Sequence, residues 1–225
     1  MWIVSENEAI TIAGGATFSR GLLMASLERA PVVYAADGGA NLCMQYGCQP
    51  EKVIGDLDSI AADVRNNLPE KKIIHVAEQD TTDFEKLLNR VDAPIMLAVG
   101  FLGDRIDHQM AVQTHLIAYA HKKVICIGEQ DIIFVSPPRI VLPLEKDTRV
   151  SLYPMAQMRV DSLGLFWSTN DLNFAPDGQI GTSNKATGTV TLVPDTSRLL
   201  VILPRRCLDI AICALKDAAQ WDAPI

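Results

Sequence analysis

Six aspartates, Asp37, Asp56, Asp58, Asp80, Asp83 and Asp107, carry the first chemical clue, because each stands where a short apolar run gives out. Val32–Ala36 leads into Asp37-Gly38-Gly39, and Val53-Ile54 into Gly55-Asp56-Leu57-Asp58-Ser59. Residues 73–76 lead into Gln79-Asp80-Thr81-Thr82-Asp83, and residues 95–99 into Gly100-Phe101-Leu102-Gly103-Asp104-Arg105-Ile106-Asp107-His108. If these runs are neighbouring parallel strands, the carboxylates gather along one edge of a sheet, where open α/β folds place their ligands. Crowded carboxylates repel one another and persist only with cations between them. The pattern therefore predicts a magnesium–nucleotide complex as the natural ligand.

Taken singly, each motif also has a plainer reading. Asp56-x-Asp58 after a strand sets two carboxylates on one side of an extended chain, close enough to share a hard cation. The same pair occurs by chance and in phosphatases, glycosyltransferases and kinases. Thr82 with Glu85 three positions on matches a capping box, so a helix starts at Asp83, where its dipole keeps Asp83 ionised and its amides face any nearby phosphate. An acidic residue at a helix start is equally a common decoration. Lys86, one turn on, either neutralises a phosphate or pairs with Asp83. Arg105-Ile106-Asp107-His108 offers a cation suited to bidentate phosphate contact, a carboxylate and an imidazole in a glycine-flexed loop. His75, His115 and His121 have no metal-ligand spacing and read as structural. Trp167, after Gly164-Leu165-Phe166, is either core or a wall for a flat cationic ring. Gly181-Thr182-Ser183-Asn184 reads as a polar loop able to hydrogen-bond a heteroaromatic ligand.

The elements that must position these residues follow from periodicity. Up to about residue 135, strand-like runs alternate with helix-like segments at residues 18–30, 40–46, from Asp83, and from near Asp107 with Val112, Leu116 and Tyr119 on one stripe. Such alternation predicts a mostly parallel sheet flanked by helices. At Ser136-Pro137-Pro138 the composition changes to short β-prone runs punctuated by proline, and Leu208, Ile212 and Leu215 suggest a short terminal helix. The expectation is an α/β domain over 1–135 and a smaller all-β domain over 136–225.

Composition narrows the function classes. With 225 residues, 48% of them apolar, the chain buries a sizeable core. A net charge of −7 without a Lys/Arg-rich run argues against a nucleic-acid partner. No apolar run approaches a membrane span, and the first residues do not read as a signal peptide. Five cysteines without a Cys-x-x-Cys pair speak against a disulfide framework or a zinc site and fit a reducing cytoplasm.

In their order, and over nearly the whole chain to about residue 203, the segments Asp37-Gly38-Gly39-Ala40-Asn41, Gly55-Asp56-Leu57-Asp58-Ser59, residues 79–86, Gly103-Asp104-Arg105-Ile106-Asp107-His108, Gly164-Leu165-Phe166-Trp167 and Ser183-Asn184 resemble the thiamine pyrophosphokinase (thiamine diphosphokinase) family. The resemblance implies an α/β catalytic domain that binds ATP and magnesium, a β-sandwich domain that binds thiamine, and a homodimer with active sites between subunits. It implies transfer of pyrophosphate from ATP to the thiamine hydroxyl, giving thiamine diphosphate and AMP. By motif position, Asp56, Asp58, Asp83 and Asp107 fall on acidic catalytic positions, the first three holding the metal. Asp37, Gln79, Thr82, Lys86, Arg105 and His108 fall around the nucleotide, and Trp167, Ser183 and Asn184 on the thiamine side. The chain departs from the family in carrying Gly103-Asp104 where two glycines usually precede the arginine, and residues after Pro204 lie beyond the resemblance.

Two rival readings follow from the same residues. A haloacid-dehalogenase-like phosphatase would use Asp56 as nucleophile and Asp58 as acid/base, but leaves residues 79–86, the β domain and Trp167 without a role. A non-catalytic thiamine or nucleotide sensor would be marked by a lost metal carboxylate, and none is missing.

Overall fold

The apolar runs become parallel strands, since residues covered on both faces of a sheet need not alternate with polar ones. In chain order these are β1 (Val4–Ser5), β2 (Ile10–Ala13), α1 (Arg20–Leu27), β3 (Val32–Ala36), α2 (Gly39–Gln45), β4 (Lys52–Gly55), α3 (Ala62–Asn67), β5 (Ile73–His75), α4 (Asp83–Leu88), β6 (Val91–Asp92), β7 (Met96–Val99) and α5 (Ile106–Ala118). The computed structural model describes residues 4–78 and 80–223. It divides into one unit of residues up to His115 with Cys126–Glu129, and a second of Leu116–Ile125 with residues from Gln130 on.

In the first unit the order β7-β2-β3-β4-β5 is parallel throughout, and β1 pairs in parallel with β6. Ile12, Ala35, Val53, Ile54, Leu97 and Val99 are fully buried in this sheet, together with Leu22 and Leu23 of α1 and Phe84, Leu87 and Leu88 of α4. Helix α3 starts from the N-cap Ala61, which offers no side-chain cap for sequence reading to detect.

Strand order reverses at β2, which lies between β7 and β3, and the loops after β2 and β7 leave the sheet side by side. Gly14 N donates to Val99 O at 2.8 Å and Ala16 N to Gly100 O at 2.9 Å. A Cβ on Gly100, whose φ is +71°, would stand 2.4 Å from Gly14 O. This close approach at the switch point is what glycine makes possible.

The second unit is antiparallel. It contains β9 (Asp131–Val135), β10 (Ile140–Leu142), β11 (Arg149–Pro154), β12 (Val160–Leu165), β13 (Gly181–Pro194) and β14 (Leu199–Pro204), after β8 (Val124–Ile127), whose residues fall partly in each unit. The order is β10-β13-β11-β14-β9, with β12 also on β13. Strand β9, on the N-terminal side of the expected change at Ser136, falls in this unit. The terminal helix α6 (Leu208–Asp217) buries Leu208, Ala211, Ile212 and Leu215 at helical spacing. Residues 181–184, expected as a loop, instead open β13. A register shift opposite Val150 and Leu152 leaves Ser183 at φ +62°, so a bulge absorbs the polar segment within the strand. Among the described residues no helix is long and apolar enough to cross a membrane.

Gly100→Ala should lose about 3 kcal/mol or more of unfolding free energy, combining left-handed strain with overlap on Gly14 O. Gly103→Ala has φ +96° but open space around its Cβ, and should lose only about 1 kcal/mol. Urea unfolding of both variants checks the contrast, and equal losses would mean that the close approach is not what holds the switch point.

Candidate functional site

The loops at the carboxyl ends of the parallel strands enclose a cleft of about 680 Å³ within the first unit. Gly15 and Ala16 border it after β2, Asp56, Asp58 and Ser59 after β4, Thr82, Asp83 and Lys86 at α4, and Asp104, Arg105 and His108 ahead of and on α5.

Asp37, Asp56 and Asp58 each bring a carboxylate oxygen within 4.8 Å of the others. Asp56 and Asp58 do not converge by lying on one side of an extended chain, as the spacing suggested. Leu57 between them takes φ +68°, a left-handed turn that leucine adopts at a cost. Asp37 follows β3 at φ +39°, is fully buried, accepts from Ser59 N at 3.4 Å through Oδ2, and has an Oδ1 with no hydrogen-bond partner among the described residues. Burial, and next the neighbouring Asp56 carboxyl, hold the Asp37 acid up at about 7.

One cation beside the crowded carboxylates is built into the fold. Lys86, only 2% exposed, donates from Nζ to Asp56 Oδ2 at 2.9 Å and to Asp83 Oδ1 at 3.4 Å. That hydrogen bond holds Asp56 down at about 2. Asp83, expected as a third metal ligand, accepts from Lys86 as Asp56 does; the three acids that converge are Asp37, Asp56 and Asp58. Burial raises the Asp83 acid, and the Lys86 ammonium beside it works in the opposite direction. The cap itself forms, with Glu85 N donating to Thr82 Oγ1 at 3.2 Å.

The remaining expected residues separate. Arg105 donates to Asp107 from Nε at 3.1 Å and from Nη2 at 2.6 Å, on a surface where both are largely exposed. This pairing holds Asp107 down at about 2. Asp107 is thus not among the gathered carboxylates, because α5 begins one residue before it and turns it toward Arg105. Gln79 lies outside the described residues. Asp104, where the family pattern has glycine, sits at φ +51°, a conformation that glycine takes freely and aspartate tolerates. Its Oδ2 accepts from Thr17 N at 2.6 Å, tying the loop after β7 to the loop after β2. Asn41, which sequence reading passed over although it closes the Asp37-Gly38-Gly39-Ala40-Asn41 motif, also borders the cleft.

In the second unit, Trp167 and Phe166 are 57% and 55% exposed, which removes the core reading of Trp167. Their rings meet edge to face at 4.7 Å, and Lys185 Nζ lies 4.5 Å from the Phe166 centroid. Asn184 is buried and spends its amide on backbone: Oδ1 accepts from Trp167 N at 3.1 Å and Lys185 N at 2.8 Å, and Nδ2 donates to Trp167 O at 2.7 Å. It holds the aromatic loop in place. Ser183 N donates to Ser151 Oγ at 3.0 Å.

Together these features define an open α/β protein with an acidic cleft, floored by a buried lysine, at the carboxyl ends of its parallel strands. Residues 23–127 match the family described as thiamin pyrophosphokinase, catalytic domain. Thiamine pyrophosphokinase 1 of Arabidopsis thaliana is 28% identical over 192 residues, covering 70% of this chain and 72% of the relative. In fold, the chain is similar to thiamin pyrophosphokinase from Candida albicans, with a TM-score of 0.76, 19% identity, and coverage of 88% of this chain and 89% of that one. The enzyme from Bacillus subtilis gives a TM-score of 0.72, 20% identity, and coverage of 88% and 98%. Over most of its length, then, the chain is similar to thiamin pyrophosphokinases, and the segment that matches their catalytic domain carries the acidic cleft.

The two perturbed carboxyls make opposite stability predictions for the metal-free protein. Asp37 keeps its proton in the folded state between its ordinary value of 3.8 and about 7, so the stability it contributes is lost as pH rises through that window. The melting-temperature difference between wild type and Asp37→Asn should therefore fall steadily from about pH 4 to about pH 7. A flat difference would show Asp37 ionised throughout. Asp56 contributes stability that is lost only as pH falls from 3.8 toward about 2. At neutral pH, Asp56→Asn should cost about 2 kcal/mol, because Lys86 loses its closer partner.

Proposed function

We propose that this chain is an ATP-dependent thiamine diphosphokinase, transferring pyrophosphate from ATP to the thiamine hydroxyl to give thiamine diphosphate and AMP. The observation that carries this reading is the convergence of Asp37, buried beside the cleft, with Asp56 and Asp58 of its lining, in the segment that matches the family's catalytic domain. Three carboxylates this close, one with a buried oxygen that has no hydrogen-bond partner among the described residues, fit a hard divalent cation such as magnesium. When bound, that ion neutralises charge on the polyphosphate, which dominates catalysis of phosphoryl-type transfer.

Asp37, Asp56 and Asp58 hold the ion in this reading. Lys86 fixes Asp56 and, with Asp83, balances the charge of the cleft floor, while Thr82 caps the helix that carries both. Arg105 and His108 face the nucleotide from the cleft rim, and Asp107 orients Arg105 through its two hydrogen bonds. Gln79 is kept as a nucleotide-side residue by its motif position. One carboxylate not committed to the cation accepts the hydroxyl proton as the new bond forms.

Trp167 offers its indole face to the flat cationic ring of thiamine, with Asn184 and Ser183 shaping its loop. In this reading the catalytic and thiamine-binding roles divide near residues 135 and 136, the second unit acts as a β-sandwich, and the chain works as a homodimer. A cytoplasmic setting agrees with five cysteines that are all free thiols.

Incubation with thiamine, ATP and magnesium should yield thiamine diphosphate and AMP in step, abolished by chelation. ADP with thiamine monophosphate, or inorganic phosphate released without thiamine as the phosphatase rival requires, would overturn the proposal. Asp56→Asn should lower turnover by about two to three orders of magnitude while remaining folded, measured by initial rates beside circular dichroism. Trp167→Ala should weaken thiamine binding by about 1–3 kcal/mol with ATP binding and melting temperature nearly unchanged, since an exposed indole leaves no cavity. Equal loss of both ligands by calorimetry would sink the stacking role.

A further inference from the structure

Of the three converging carboxylates, Asp58 is the one without a rigid hold of its own. Asp56 is fixed by Lys86 and Asp37 is buried, whereas Asp58 is exposed and its Oδ1 accepts from Ser59 Oγ at 2.8 Å. The position of Asp58 therefore depends on what holds Ser59. The Ser59 N–H donates weakly to Asp37 Oδ2 at 3.4 Å, and the Ser59 carbonyl is held by Asn41, whose Nδ2 donates to Ser59 O at 3.0 Å while its Oδ1 accepts from Ala61 N at 2.9 Å. One side-chain amide thus spans residues 59 to 61 as a peptide group would, fastening the far end of the turn to α2.

The turn needs such a fastening. Leu57 at φ +68° is held in a conformation that persists only where its surroundings over-determine it. On one side Lys86 pins Asp56; on the other Asn41 pins Ser59 and Ala61. Helix α2 also begins at the loop that carries Asp37, and a Cβ on Gly38 would lie 3.3 Å from Ser59 Cβ and from Ser59 O, so α2 and the acidic turn are already in close contact.

We propose that Asn41 is a positioning residue for the divalent-cation site, setting the place of Asp58 relative to Asp37 and Asp56 without touching the ion. The inference rests on the reading that these three carboxylates hold such an ion. Without Asn41 the turn relaxes toward an unstrained backbone, Asp58 swings away from its partners, and the site loses a ligand while the sheet beneath it stays intact.

The test reads manganese binding to the nucleotide-free protein by electron paramagnetic resonance, with melting temperature alongside, for Asn41→Ala, Asp58→Asn and Ser26→Ala. Ser26 is buried and bonded to Thr11 at 2.8 Å beneath the sheet, so its variant supplies a comparable structural defect away from the acidic turn. Asn41→Ala should weaken manganese binding about 10- to 100-fold and raise the magnesium concentration needed for half-maximal activity by a similar factor, with only a modest fall in melting temperature. Ser26→Ala should lower the melting temperature and leave manganese affinity as in wild type. If Asn41→Ala binds manganese like wild type while Asp58→Asn does not, the positioning role is overturned and the cation site stands. If Asp58→Asn also binds like wild type, the cation reading falls and the inference with it. Should the alanine variant not fold, Asn41→Ser, too short to span both backbone groups, takes its place with the same expected loss.

Discussion

The placement of a buried ammonium between two carboxylates is the constraint on which the cleft depends. Lys86 reaches the floor of the cleft from α4 and binds Asp56, from the loop after β4, and Asp83, from its own first turn. Without a cation there, three or four acids drawn to one sheet edge would repel one another and swell the loops that carry them. Lysine is the residue for this task because its compact charge sits at the end of a long apolar stem, which can cross the packed layer of Phe84, Leu87 and Leu88. The pairing divides the acids into kinds: Asp56 is kept ionised by its lysine, while Asp37, buried beside it, is pushed the other way.

Around that centre the backbone carries strain where the chemistry is. Asp37, Leu57 and Asp104 all take positive φ without being glycine, and all three lie in loops at the carboxyl ends of parallel strands. Such conformations cost about 1–3 kcal/mol each and survive where neighbouring contacts leave no alternative. Here the contacts are visible: Ser59 N on Asp37, Asn41 on the segment after Leu57, and Thr17 N on Asp104. The substitution of aspartate for glycine in the loop before Arg105 is thereby accounted for, since aspartate tolerates the left-handed region and its carboxylate gains an amide partner.

The second unit solves a different problem, that of keeping two large aromatic rings in water. Phe166 and Trp167 pack edge to face, Lys185 lies over Phe166 and pairs with Asp147 at 3.3 Å, and the Asn184 amide grips the Trp167 backbone from both sides. Order in the loop thus comes from polar contacts rather than from burial of the rings, which leaves the indole face available.

The sequence alone determined the parallel strands, because their apolar runs are continuous and bounded, and it determined the Thr82 cap and the return of aspartates at strand ends, because these are local rules of spacing. It also carried the resemblance to a family, since the ordered motifs are read along the chain. It could not say which acids meet. Asp37, Asp56 and Asp58 come from different strand ends or from opposite sides of a left-handed leucine, and Lys86 chooses Asp56 across 30 positions of chain. Asp107 faces Arg105 rather than the trio because of where α5 starts, and Asn184 serves backbone because β13 bulges at Ser183. Those outcomes rest on contacts between residues far apart in the chain and on which groups lose their water, and these exist only once the sheet has formed.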